Sequence, residues 1–187
     1  MDLSKLATQL KEDAAQAVPP SGADSIEMAR RLGPQARNLL LHEIRARDYP
    51  TFLALEALRQ ADPSGYNSIA ASERADIYVD ALKSSLFYNA WGLPGHPLSD
   101  TAHALIALGE DAVARLKPLL SDQRPAILSG SKDATASTMY GNRLSDYAWV
   151  LINEIKRRPY VYAQDPAARD RAIEALRQEL QSKKSHE

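Results

Sequence analysis

The sequence predicts an all-α protein in which antiparallel helix pairs stack as a short α-solenoid, or α-α superhelix. Apolar residues recur at steps of three and four along most of the chain, and no stretch shows the alternation of a half-buried strand. Proline and glycine clusters cut this pattern into segments of helix length. Two of the segments repeat each other: DSIEMARRLGPQARNLLLHEI, residues 24–44, and DTAHALIALGEDAVARLKPLL, residues 100–120. Side by side they pair Leu32 with Leu108, Gly33 with Gly109, Ala36 with Ala112, Leu40 with Leu116 and Ile44 with Leu120.

In chain order, residues 3–18 carry Leu3, Leu6, Leu10 and Ala14 on one side, with Ser4 as an early cap. Val18-Pro19-Pro20-Ser21-Gly22 ends this helix, because proline lacks a backbone donor and restricts its predecessor. The first 21 residues therefore read as an N-terminal helix and Pro-rich linker, a terminal cap or a loosely attached arm, and residues 22–187 as one helical domain. Asp24 or Ser25 should cap a second helix through Ile26, Met28, Ala29 and Leu32, stopped by Gly33. Pro34 opens a third, running to about Arg47 with Leu40, Leu41 and Ile44 inward, and Tyr49-Pro50 breaks the chain. Phe52, Leu55 and Leu58 mark the next helix, and Asp62-Pro63-Ser64-Gly65 reads as a turn. Another begins near Ser72, with Glu73 and Asp76 in its first turn and Ile77, Tyr78, Ala81 and Leu82 as a broad apolar stripe.

Phe87, Tyr88 and Trp91 then fall among Gly92, Pro94, Gly95 and Pro97, a pattern of aromatics plugging the end of a core, with ligand stacking as the alternative. Ser99 or Asp100 caps the helix through Ala102, Leu105, Ile106 and Leu108. The helix after Gly109 carries Ala112, Val113, Leu116 and Leu120, and Pro118 should kink or shorten it. A polar connector follows over residues 121–141, with a short helix capped by Ser131 inside it. Residues 142–156 form a helix with Ala148, Leu151, Ile152 and Ile155 on one face, widened by Tyr147 and Trp149. Residues 159–164 are an extended spacer. Asp165-Pro166 starts the last helix, with Ile173, Leu176 and Leu180 apolar and a frayed end after residue 182.

A chain of 187 residues supports one domain with a real core. The net charge of −1 argues against a dedicated nucleic-acid binder, which carries a basic excess. Without cysteine there is no disulfide, thiolate metal site or thiol nucleophile. No window holds eighteen uncharged apolar residues and no signal peptide opens the chain, so a cytoplasmic protein without a membrane span is expected, or the processed form of an exported one.

WGLPG, ALIALGEDAVARLKPLLSD, GSKDAT and YGNRLSDYAWVLINEI together resemble a group of bacterial HEAT-like repeat proteins that has no established activity, over residues 86–155. The remainder follows only the loose helix-pair pattern. The two repeated segments lie about two HEAT units apart, with the helices of residues 51–85 between them. The resemblance implies a HEAT-like stack, a fold that mostly binds partners and occasionally hosts catalysis.

Two constellations bear on chemistry. His96, Asp100 and His103 have metal-ligand residue types but not the spacing of a zinc motif, and Asp100 is explained as a helix-start acid. No metal and no cofactor is expected. Asp122 and Arg124 end one helix, while Arg143 and Asp146 begin another. If those helices are neighbours, Arg124 can bind Asp146, and Arg143 can bind Asp122 or freed carbonyls. This is either an ion-pair clasp for the long connector or, with Tyr140, a pocket for an anion or partner. Arg30, Arg31, Arg37, Arg45 and Arg47 make the first helix pair locally basic, diluted by Glu27, Glu43 and Asp48, as on a solvated surface. GxSxG, Walker, HExxH and dinucleotide motifs are all missing, so no catalytic residue is named. The expectation is a non-enzymatic scaffold for a protein partner. The alternative is an enzyme or anionic-ligand binder at the connector.

Overall fold

The computed structural model describes residues 2–45, 51–84, 90–126 and 138–182. The chain is all-helical, with no strand among these residues beyond two isolated bridges. It divides into two compact units, Met1–Ala90 and Trp91–Glu187.

The first unit contains α1 (Leu3–Ala15), α2 (Asp24–Leu32), α3 (Arg37–Arg45), α4 (Thr51–Ala61), α5 (Pro63–Asn67) and α6 (Ala71–Ser84). Its centre is α4, apolar nearly all round and buried at every position from 52 to 58. It packs against α2, α3, α5, α6 and α1. Leu53, Leu55 and Leu58 are wholly buried, each stabilising the unit by about 2 kcal/mol. α1 is no loose arm, since Leu6, Leu10 and Ala14 are fully buried.

Several caps differ from the expected ones. Asp2, not Ser4, caps α1, accepting from the Ser4 N–H at 2.9 Å. α1 stops at Ala15, and Ala17 turns left-handed. The cap residue of α2 is Ala23, which has no side chain to offer. The Ser25 N–H is satisfied instead by Asp13 of α1 at 2.8 Å, a cap delivered from another helix. Residues 62–65 are not a free turn. Asp62 caps the short α5, accepting from the Gly65 N–H, with Pro63 in the first turn.

Asp62 also takes two donors from Arg37, which hold its carboxyl down at about 2. A group ionising more readily folded than unfolded stabilises the fold above its unfolded pKa, and that contribution is lost as pH falls through the folded value. Stability should therefore drop between about pH 4 and about pH 2. Acid titrations of Asp62→Asn should show a shallower loss over that window.

The second unit contains α7 (Asp100–Ile106), α8 (Glu110–Leu116), a 3-10 segment (Lys117–Ser121), α9 (Leu144–Ile155) and α10 (Pro166–Ser182). Every residue of α9 from 144 to 153 is buried, and it packs on α7, α8, the 3-10 segment and α10. Ser99 caps α7 through the Ala102 N–H, and Asp165 caps α10 through Ala167 and Ala168, both as expected. Pro118 acts by shortening, with α8 giving way to 3-10 geometry after Leu116. Trp91 is buried, while Phe87 and Tyr88 lie outside the described residues. So do Arg47, Tyr49-Pro50, the Ser131 cap and the end after residue 182.

The repeat extends to the backbone. Gly33 has φ 56° and ψ −139°, and Gly109 has φ 61° and ψ −129°. Ala36, Ala112, Leu40 and Leu116 are all fully buried, and Ile44 and Leu120 are nearly so. Both glycines sit in a region that side chains avoid, although a Cβ at either would touch nothing within 4 Å. Gly33→Ala and Gly109→Ala should therefore each cost about 1–3 kcal/mol from backbone strain alone, measured by urea unfolding.

Candidate functional site

The connector enters and leaves beside the start of α9. Its two ends are zipped by main-chain bonds: the Ala126 N–H donates to the Asn142 carbonyl at 2.8 Å, and Pro125 bridges Arg143. The first turn of α9 would otherwise leave its N–H groups unpaired. Leu144 N–H donates to the Arg124 carbonyl and Ser145 N–H to the Asp122 carbonyl, at 3.1 and 3.0 Å. Asp146 completes the cap by accepting from the Arg143 N–H at 2.8 Å.

The side chains pair differently from the expected cross-connection. Arg124 turns back on its own neighbour, holding Asp122 at 2.9 Å through Nε, and remains largely exposed. Arg143 grips Asp146 in its own first turn, through Nε at 3.2 Å and Nη2 at 3.1 Å. It also reaches Gln123 at 2.5 Å and Asp170 of α10 at 2.7 Å. The Asp146 hydrogen bond and then Asp170 raise the Arg143 pKa, and Asp122 does the same for Arg124. Tyr140 contributes its carbonyl rather than its hydroxyl, and its ring lies 6.3 Å from that of His96.

The residue that ties the site together is Arg169 of α10, which stood outside the expected set. It is 3 % exposed. Its guanidinium donates to the Tyr140 carbonyl at 2.7 Å, to Asn142 Oδ1 at 3.3 Å and to the Tyr162 hydroxyl, and lies 3.6 Å from Asp146 Oδ2. Tyr162 donates in turn to Asn142 Oδ1 at 2.5 Å. Gly95 packs against the Tyr162 ring, where a Cβ would come within 2.8 Å. One sign was available in the sequence: Arg169 precedes Ile173, Leu176 and Leu180 at helical spacing, so it lies on the apolar stripe of α10.

Asp146 thus serves two arginines and a helix start, a buried arrangement that orients and anchors. Burial, with the Asp146 charge second, pushes Tyr162 up to about 12, away from the range useful for proton transfer at neutral pH. The buried Arg169 Nε, Asn142 Nδ2 and Ser145 Oγ have no hydrogen-bond partner among the described residues. His103 is exposed on α7, the His96 ring lies tilted beside that of Tyr140, and no three acidic or histidine side chains gather among the described residues. On the basic helix pair, Arg30 and Arg31 both pair with Glu27, and Arg37 with Asp62. No helix among the described residues is long and apolar enough to cross a membrane.

Comparison with protein-family models, with curated proteins and with solved structures returned no match.

Proposed function

We propose that this chain is a HEAT-like helical-repeat protein, a short α-solenoid that works as a non-enzymatic scaffold for a protein partner. The observation that carries the reading is the repeated helix pair, with matched glycine conformations at Gly33 and Gly109 and matched buried positions on either side. The connector residues favour the clasp over the anion pocket. Asp122 spends its carboxylate on Arg124 and its carbonyl on the start of α9, while Arg143 and Asp146 spend their polar atoms on each other, on that helix start and on α10. Cross-linking and affinity capture from the native source, followed by reconstitution with the purified candidate, test the proposal. A stoichiometric complex supports it. Turnover of a small substrate by the purified chain, with no reconstituted partner, overturns it.

A further inference from the structure

We propose that the second unit pairs with a second copy of itself along residues 159–163, an unpaired segment outside any helix that is nearly palindromic. Residues 158–163 run between α9 and α10 without helix, turn or bend. Tyr160 points inward, donating to Glu154 at 2.7 Å and standing edge-on to Trp149 at 5.1 Å. Tyr162 points inward to Asn142 and Arg169. Val161 between them is 88 % exposed. This alternation is that of a strand. The main-chain groups of residues 160–163 bond to nothing else in the described chain. An edge of this kind is a template for another strand.

The sequence around Val161 selects its occupant. Pro-Tyr-Val-Tyr-Ala reads almost alike from either end. An antiparallel pair centred on Val161 sets Tyr160 of one copy opposite Tyr162 of the other, which is a closed two-fold contact. Hydrogen-bonded and non-bonded pairs alternate in such a ladder. With the Val161 pair non-bonded, the ladder uses the N–H and C=O groups of Tyr160 and Tyr162, and the donor missing from Pro159 is not needed. The two valines then cover each other at the closest approach. Charge agrees with this orientation. Arg157, in a left-handed turn, and Asp165, at the cap of α10, lie just outside the extended segment, both exposed and equally far from Val161, so an antiparallel pair brings each copy's arginine to the end that holds the other's aspartate. The inference concerns the second unit alone and stands apart from partner binding.

Sedimentation velocity of the full chain from low to several hundred micromolar should show a monomer–dimer equilibrium. Val161→Glu sets two carboxylates opposite at the two-fold and should abolish the dimer, while its thermal unfolding at concentrations where the wild type is monomeric stays that of the wild type because the position is exposed. The chain has no cysteine, so Val161→Cys introduces a single thiol. Non-bonded pairs place Cα atoms about 4.5 Å apart, within disulfide range. Mild oxidation should link Val161→Cys into dimers and leave Glu174→Cys, on the exposed face of α10, unlinked. A wild-type chain that is monomeric throughout, a dimer unaffected by Val161→Glu, or equal linking of the two cysteine variants would overturn the proposal. None of these results bears on capture of a partner elsewhere.

Discussion

Asp146→Ala is expected to cost about 3–5 kcal/mol of unfolding free energy, among the largest effects of any single change in the chain. It removes a carboxylate that is 1 % exposed and serves Arg143, Arg169 and the first turn of α9 together. Arg169 would remain buried with no counter-charge, the expensive species in such a cluster. Asp146→Asn keeps an oxygen for the Arg143 N–H and should recover only part of the loss. Trp91 and Trp149, the chain's two tryptophans, both lie in the second unit, so their fluorescence during urea unfolding reads this unit directly.

Glu56→Ala is the corresponding change in the first unit. Glu56 is fully buried in the middle of α4. It accepts from the Tyr78 hydroxyl at 2.6 Å and from both Nε and Nη2 of Arg59, at 2.9 and 2.8 Å. Burial first, and the Glu56 charge second, push the Tyr78 pKa far up, so this phenol stays a donor at every usable pH. Truncation removes the acceptor of a buried hydroxyl and the charge partner of Arg59. A loss of about 3 kcal/mol is expected, softened from the fully buried case because Arg59 keeps some contact with water. Glu56→Gln retains the acceptor for Tyr78 and should lose less. Thermal unfolding followed by circular dichroism checks both.

Much of the helix pattern was legible in the sequence because periodicity and punctuation are local. Ser99, Asp165 and the shortening at Pro118 follow from neighbours only a few residues away. What could not be read was set by meetings across the chain. The cap of α2 comes from Asp13, twelve residues upstream, and nothing at Ala23 announces it. Asp62-Pro63 opens a helix just as Asp165-Pro166 does, but Gly65 gave the segment the look of a turn. At the candidate site, Asp122, Arg124, Arg143 and Asp146 were identifiable by type and position, yet their pairing was not. Each arginine found a carboxylate two or three residues away, and so short a link forms at less entropic cost than a bond across the connector. Arg169 joins the cluster only because α10 packs on α9, a contact that no local pattern specifies.

Asp146 and Arg169 act as one buried unit that holds the connector and α10 to the start of α9. A double-mutant cycle of Asp146→Ala, Arg169→Met and the double variant, read by tryptophan fluorescence in urea, tests it most directly. The expected result is a double variant less destabilised than the sum of the single ones, with a coupling of about 2 kcal/mol. Strictly additive costs, or an Asp146→Ala variant as stable as the wild type, would contradict it.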